Sequence, residues 1–197
     1  MDTDSLLWLE DPDSPDTRAW VAAQNARTEA FLQACPQRES IRARLTELWN
    51  FERYGPPERR GDWYVFQRND GLQNQPVVYR ARRLDDPPEV PLVPNEWAGD
   101  GTSALAATSL SPNGRWLAYA RSDRGSDWMT WRVREVATGR DLPDEVHWSK
   151  FSTAAWHHDG TGFFYCGYDA PPDQSLYTAT NKHHKVFFHR LSTADPR

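Results

Sequence analysis

The chain has 197 residues and a net charge of −5, with acidic and basic residues interspersed. That length suffices for one domain with a real core, or for part of a larger one. The lack of a basic stripe argues against a nucleic-acid partner. Hydrophobic residues make up 38% and aromatics 13%, with ten tryptophans. A buried helical bundle would lean on Leu and Ala, so this balance points to short strands with aromatics packed between sheets. Fifteen Pro and eleven Gly supply the punctuation such strands need. No run approaches the roughly 18 apolar residues of a membrane helix. The start, residues 1–7, lacks the basic region of a signal peptide. Cys35 and Cys166 are far apart and form no CxxC pair, which fits a reducing, cytoplasmic setting.

Two helices are predicted first. Asp13 or Ser14 caps the first, Pro15 suits its first turn, and Asp16 favours the positive end of the helix dipole. Trp20, Ala23, Phe31 and Ala34 recur at helical spacings, and Pro36 stops the run. The second helix spans about 37–50. Its Ile41, Leu45, Leu48 and Trp49 form one apolar face that needs a partner not evident in the chain.

After Gly55-Pro56-Pro57 the period changes to two and an internal repeat begins. Each unit opens with a tight turn ending in Gly, followed by an apolar strand: Gly61 before Trp63-Tyr64-Val65-Phe66, Gly114 before Trp116-Leu117-Ala118-Tyr119, Gly160 before Phe163-Phe164-Tyr165. The turn glycines lie 53 and 46 residues apart. A second strand follows each turn, at Val77-Val78-Tyr79, Thr130-Trp131-Arg132-Val133 and Val186-Phe187-Phe188. It begins 16 residues after the glycine in two units and 26 after it in the third. This period, with several strands per unit, matches a propeller blade, and Asn-Gly and Asp-Gly suggest two-residue hairpin turns. The predicted fold is mainly β: a helical segment at 1–54, then the first two to three four-stranded blades of an incomplete β-propeller at 55–197. A propeller closes with about four to eight blades, so the count predicts a part of a larger molecule. The longer third unit places a polar, Pro-containing insertion at 169–181, expected to be a mobile surface loop.

Catalytic patterns are absent. No G-x-S-x-G occurs; Gly101-Thr102-Ser103-Ala104-Leu105 lacks the second Gly, and Ser126 falls between predicted strands. The histidine pairs 157–158 and 183–184 are expected to point to opposite sides and make no chelate, and HExxH is missing. Glu10-Asp11 and Asp85-Asp86 sit beside Pro, where turn chemistry accounts for them. No cofactor, metal site or catalytic residue is predicted.

Nine segments, in order from Trp8 to about Thr193, carry a family resemblance. They are Trp8-Leu9-Glu10-Asp11-Pro12-Asp13, Gln24-Asn25, Gly71-Leu72-Gln73-Asn74-Gln75, Asp100-Gly101-Thr102, Gly125-Ser126-Asp127-Trp128, Leu142-Pro143-Asp144, Lys150-Phe151-Ser152, Trp156-His157-His158-Asp159-Gly160 and Asn181-Lys182-His183-His184-Lys185-Val186. Together they resemble the N-terminal part of the prolyl oligopeptidase family, cytosolic serine peptidases that cleave short peptides after proline. The resemblance implies a seven-bladed propeller capping an α/β-hydrolase domain that carries the catalytic triad. It implies that the helices pack on that domain, which would give the apolar face of the second helix its partner. It implies that Phe151 lines the pocket for the substrate residue two before the proline, where a blade-core Phe is the alternative. It also implies that the 169–181 insertion, with Asp169, Pro171, Asp173, Thr178 and Thr180, gates peptide passage between the domains.

The start departs from the family: residues 5–7, Ser-Leu-Leu, do not match the usual lead-in, and the stretch before Trp8 is short. The expected reading is an N-terminal piece, inactive alone, whose partners are proline-containing short peptides and an α/β-hydrolase domain. A free-standing module that closes by self-association and one half of a split peptidase are the alternatives.

Overall fold

The computed structural model describes residues 5–170 and 181–192. Contacts divide the chain into a helical unit up to Asn50 and a β unit from Phe51 onward. Arg53 and Tyr54 already pair in the first blade.

The helical unit holds a 3-10 turn, Leu7–Glu10, and helices α1 (Pro15–Gln33) and α2 (Arg38–Trp49). Ser14 caps α1: its Oγ accepts the Thr17 N–H at 3.1 Å, and Pro15 takes the first position, where a missing N–H costs nothing. The Thr17 hydroxyl donates to the Trp8 carbonyl at 3.1 Å, and Trp8 meets Trp20 edge-on, so the lead-in folds back on the first turns of α1. Arg38 bonds Glu29 at 2.8 Å across the helix junction. Ile41, Leu45, Leu48 and Trp49 are each more than half exposed. The apolar face read from the sequence is therefore an open one.

Among the described residues, the β unit holds twelve strands in two sheets. In the first, β3 (Trp63–Asn69), β4 (Val77–Ala81) and β5 (Glu89–Leu92) form an antiparallel meander. Its opening strand is broken into β1 (Arg53–Tyr54) and β2 (Glu58–Arg60), which pair with opposite ends of β3. Pro56 and Pro57 fall at the break, since neither has an N–H to give the ladder. The second sheet contains a complete four-stranded blade: β6 (Ser103–Leu110), β7 (Trp116–Asp123), β8 (Met129–Glu135) and β9 (Asp141–Ser149). The next unit follows as β10 (Ala155–Trp156), β11 (Gly162–Gly167) and β12 (Lys185–Arg190). It joins β9 through one ladder pair, Gly167 with Ser149. The two to three blades expected from the repeat are present, and each predicted repeat strand lies in β3, β4, β7, β8, β11 or β12.

The middle blade is buried on both faces because β7 alternates strictly. Leu117 and Tyr119 face the first blade, packing with Val65, Val78 and Leu92. Trp116, Ala118 and Ala120 face the third, packing with Trp131, Phe163 and Leu191. The two alanines leave room for the indole of Trp131, whose ring lies 6.0 Å from that of Phe163. Each indole N–H finds an acceptor: Trp131 Nε1 donates to Ser149 Oγ and Trp156 Nε1 to the Ser109 carbonyl, both at 3.0 Å. Burial of Phe163 alone contributes roughly 2–3 kcal/mol.

The turns differ from the expected two-residue type at two of the three repeats. Ser111–Gly114 and His157–Gly160 close with Gly N–H to carbonyl bonds of 2.8 and 3.0 Å. Only the glycine has positive φ; Asn113 and Asp159 do not. A type I′ turn needs positive φ at both central residues, so these are type I turns that end in a left-handed Gly. Asn113 and Asp159 instead turn their side chains onto the N–H two residues ahead, at 3.0 and 2.9 Å.

Candidate functional site: a pocket beside Phe151

The segment Trp148–Thr153 leaves the outer strand β9 and crosses to β10, the first strand of the next blade. Its backbone is unusual. Trp148 and Phe151 both have positive φ, at 60° and 49°, a conformation that bulky residues avoid. Surrounding bonds hold it there. The Trp148 carbonyl accepts the Tyr168 N–H at 2.9 Å. Ser149 Oγ donates to the Cys166 carbonyl at 2.8 Å, while Ser152 Oγ accepts the Cys166 N–H at 2.7 Å. Gly167 is needed alongside, because a Cβ there would lie 2.6 Å from the Trp148 carbonyl oxygen. Two serines and one glycine thus clamp the segment onto β11 from both sides of Phe151.

The clamp turns the Phe151 ring outward. It is 75% exposed, so it is not a blade-core residue. The ring borders an open pocket of about 360 Å3, walled by Ser122, Ser126, Asp127, Met129 and Ser152. Lys150 points the other way: it is buried, with Nζ 4.0 Å from the centre of the Trp128 ring. Trp128 meets Trp148 and Tyr168 edge-on at 5.4 and 5.9 Å, and Tyr168 stacks on His184 at 4.7 Å. This aromatic cluster lies on the segment that carries Phe151 and includes residues on both sides of the insertion. Sequence reasoning missed it, because its members come from distant parts of the chain.

Of the insertion residues singled out from the sequence, Asp169 is described and pairs with Lys185 at the base of the insertion. Pro171, Asp173, Thr178 and Thr180 lie outside the described residues. The structure therefore brings Asp169, Tyr168 and His184 near the frame that carries Phe151.

The residues lining the pocket are mostly small and polar, with Asp127 its one carboxylate. Ser122 Oγ donates to the Ser126 carbonyl. Ser103 bonds Asp123 and Arg121. Burial pushes the Asp123 carboxyl up, but bonds from Ser103 and Arg121 outweigh it and hold the group below the usual carboxylate range. The hydroxyls of Ser122 and Ser103 are thus engaged within the sheet.

The histidine expectation needs correction at 157–158. These residues sit on a turn, where period-two alternation does not apply, and their ring centres are 4.2 Å apart. His183 and His184 do not share a stack: His184 lies on Tyr168.

Comparison with known proteins matches residues 2–197 to the family described as prolyl oligopeptidase, N-terminal β-propeller domain. A prolyl endopeptidase of Elizabethkingia meningoseptica is 37% identical over 191 residues, covering 97% of this chain and 27% of the relative. The prolyl endopeptidase of Dictyostelium discoideum is 29% identical, covering 98% of this chain and 31% of that protein. One of two prolyl endopeptidases solved in a study of inter-domain dynamics superposes with a TM-score of 0.83 at 27% identity, over 94% of this chain and 28% of the other. Prolyl oligopeptidase B from Galerina marginata, bound to a 35mer substrate, gives 0.78 at 29% identity, over 96% and 29%. The chain thus spans under a third of the length of these relatives, and no helix among the described residues is long and apolar enough to cross a membrane. A full-length family match, collinear relatives and a shared fold agree with the blades and turns seen here: this chain belongs to the prolyl oligopeptidase family, as its N-terminal β-propeller domain.

Proposed function

We propose that this chain is the substrate-admitting propeller part of a serine endopeptidase that cleaves short peptides after proline. Bond cleavage falls to an α/β-hydrolase domain outside these residues. The observation that carries the reading is Phe151, a bulky ring in a left-handed backbone, clamped by Ser149 and Ser152 and presented at an open pocket. Backbone strain maintained by its surroundings marks sites where position matters more than local stability. Phe151 receives the substrate residue two before the proline. The insertion at 169–181 gates the peptide's path, held at its base by the Asp169–Lys185 pair. Free thiols at Cys35 and Cys166 support a cytoplasmic enzyme.

The test joins this chain to the hydrolase domain of a relative, by co-expression or fusion, and measures hydrolysis of short prolyl peptides. Removing the ring in Phe151→Ala costs about 1–2 kcal/mol of substrate contact. That is roughly a 5- to 30-fold rise in KM with kcat nearly unchanged. A fall in kcat at constant KM would count against the role given to Phe151. Turnover by the isolated chain, surviving rigorous purification, would overturn the division of labour.

A further inference from the structure

The turn between β10 and β11 gathers groups that the peptidase reading does not use. His157, His158 and Asp159 each present a ligand atom, and the three atoms lie within 4.8 Å of one another. Two are imidazole nitrogens, which suit late first-row metals far better than Mg2+ or Ca2+. Metal bonds of about 2.0–2.1 Å place neighbouring donors roughly 3.3 Å apart, so small side-chain rotations convert the observed set into a coordinating one.

Much of the set is already ordered. His157 Nδ1 lies 2.7 Å from Asp159 Oδ1, so these two donors already meet, and a cation would take the place of the proton they share. The His157 ring also leans on Phe188 and Phe164, with centres 6.0 and 6.5 Å away. Asp159 Oδ1 accepts the N–H and hydroxyl of Thr161 at 2.9 and 2.7 Å, which fixes the carboxylate. Gly160 holds the turn against the side chain of Asn113. His158 and Asp159 are exposed, so a hydrated cation reaches the set without opening the fold.

The position is separate from the Phe151 pocket. Ser122 lies at one end of β7 in the pocket wall, while the Ser111–Gly114 turn at the other end touches Gly160. An eight-residue strand spans about 25 Å, which sets the distance between the two regions.

We infer that the His157–His158–Asp159 turn is a surface binding site for a divalent transition metal such as Zn2+, Ni2+ or Cu2+, held by two imidazoles and one carboxylate with water completing the shell. A cation there ties the entry to β11 to its own hairpin and adds positive charge to the face where the blade turns meet.

The experiment titrates the untagged, chelator-treated 197-residue chain with Zn2+ and with Cu2+ by calorimetry, and records the Cu2+ electron paramagnetic resonance spectrum. One site per chain and nitrogen coupling from two imidazoles are expected, with a preference for Cu2+ over Zn2+. His158→Gln, at an exposed position, and His157→Ala should each weaken binding at least tenfold. Asp159→Asn keeps the turn's acceptor, removes the charge, and should weaken binding severalfold. The double variant His183→Ala/His184→Ala serves as the control and should bind like the parent. Unchanged binding in His158→Gln, loss of binding in the 183–184 control, or displacement by millimolar Mg2+ would each overturn the assignment.

Discussion

Gly61 and Gly114 are constrained by one another. A Cβ on Gly61 would lie 2.3 Å from the Asn113 carbonyl oxygen, and one on Gly114 would lie 2.2 Å from the Arg60 carbonyl oxygen. Both residues also have positive φ, 54° and 72°. The turns of the first two blades therefore touch backbone to backbone, and glycine is required at each for two independent reasons. Gly114→Ala should destabilise the β unit by about 2–4 kcal/mol, combining left-handed strain with displacement of the neighbouring turn. Gly125, also at positive φ but with open space around it, is the control, and its alanine variant should lose only about 1 kcal/mol. Chemical denaturation of the two variants checks the contrast; equal losses would show that the inter-blade contact contributes nothing.

At the level of elements, a polar seam joins the first two blades. Arg134 on β8 forms a two-pronged pair with Asp141 at 2.6 and 2.7 Å and donates to the Pro91 carbonyl of β5 at 2.6 Å. Tyr119 donates to the same carboxylate at 3.0 Å, and Trp97 stacks on its ring at 5.7 Å. Burial, reinforced by the Asp141 charge, pushes the Tyr119 hydroxyl up to about 12. Its folded value is thus raised above the ordinary value near 10, so this contribution is complete below pH 10 and is lost as pH rises from about 10 to 12. Each pH unit is worth about 1.4 kcal/mol, giving roughly 2–3 kcal/mol across that window. Tyr119→Phe should flatten the alkaline limb of a stability-versus-pH profile; an unchanged slope would remove Tyr119 as its source.

Elements were more legible in the sequence than the site was. Gly61, Gly114 and Gly160 marked the blade openings because glycine adopts those backbone angles at least cost, and the strands that follow alternate as the core requires. The apolar face of α2 was visible for the same periodic reason. The left-handed Trp148 and Phe151 were not, since no residue type announces that angle and the clamp comes from Ser149, Ser152 and Gly167 acting together. The cage of Lys150, Trp128, Tyr168 and His184 joins four separate stretches of chain, which local patterns cannot reveal. The convergence of His157 and His158 was missed because a strand's alternation was applied to a turn.

For the whole molecule, the third blade bears an apolar outer face. Phe164 and Phe188 pack at 4.9 Å, yet both remain 42% exposed, and Val186 beside them is 69% exposed. Exposed aromatic strands of this kind favour association between chains. The isolated chain should therefore self-associate in a concentration-dependent way, and Val186→Lys with Phe188→Thr should suppress this, as read by light scattering. A strictly monomeric parent chain would contradict the expectation.

The lone ladder pair between β9 and β11 has a mechanical consequence. Within a blade, strands are laced by rows of backbone bonds; between the second and third blades, the ladder gives way to scattered bonds such as those of Ser149, Ser152 and Asp144, and to interdigitated rings such as Trp131, Trp156 and Phe163. Backbone bonds resist shear along their row but fix geometry tightly, whereas packed rings tolerate small tilts before they lose contact. The β unit is thus built as stiff plates joined by compliant grease, so it can breathe by fanning its plates while each plate keeps its shape. Amide exchange should reflect this, with slow protection inside β7 and β8 and faster opening along the Ser149–Gly167 junction.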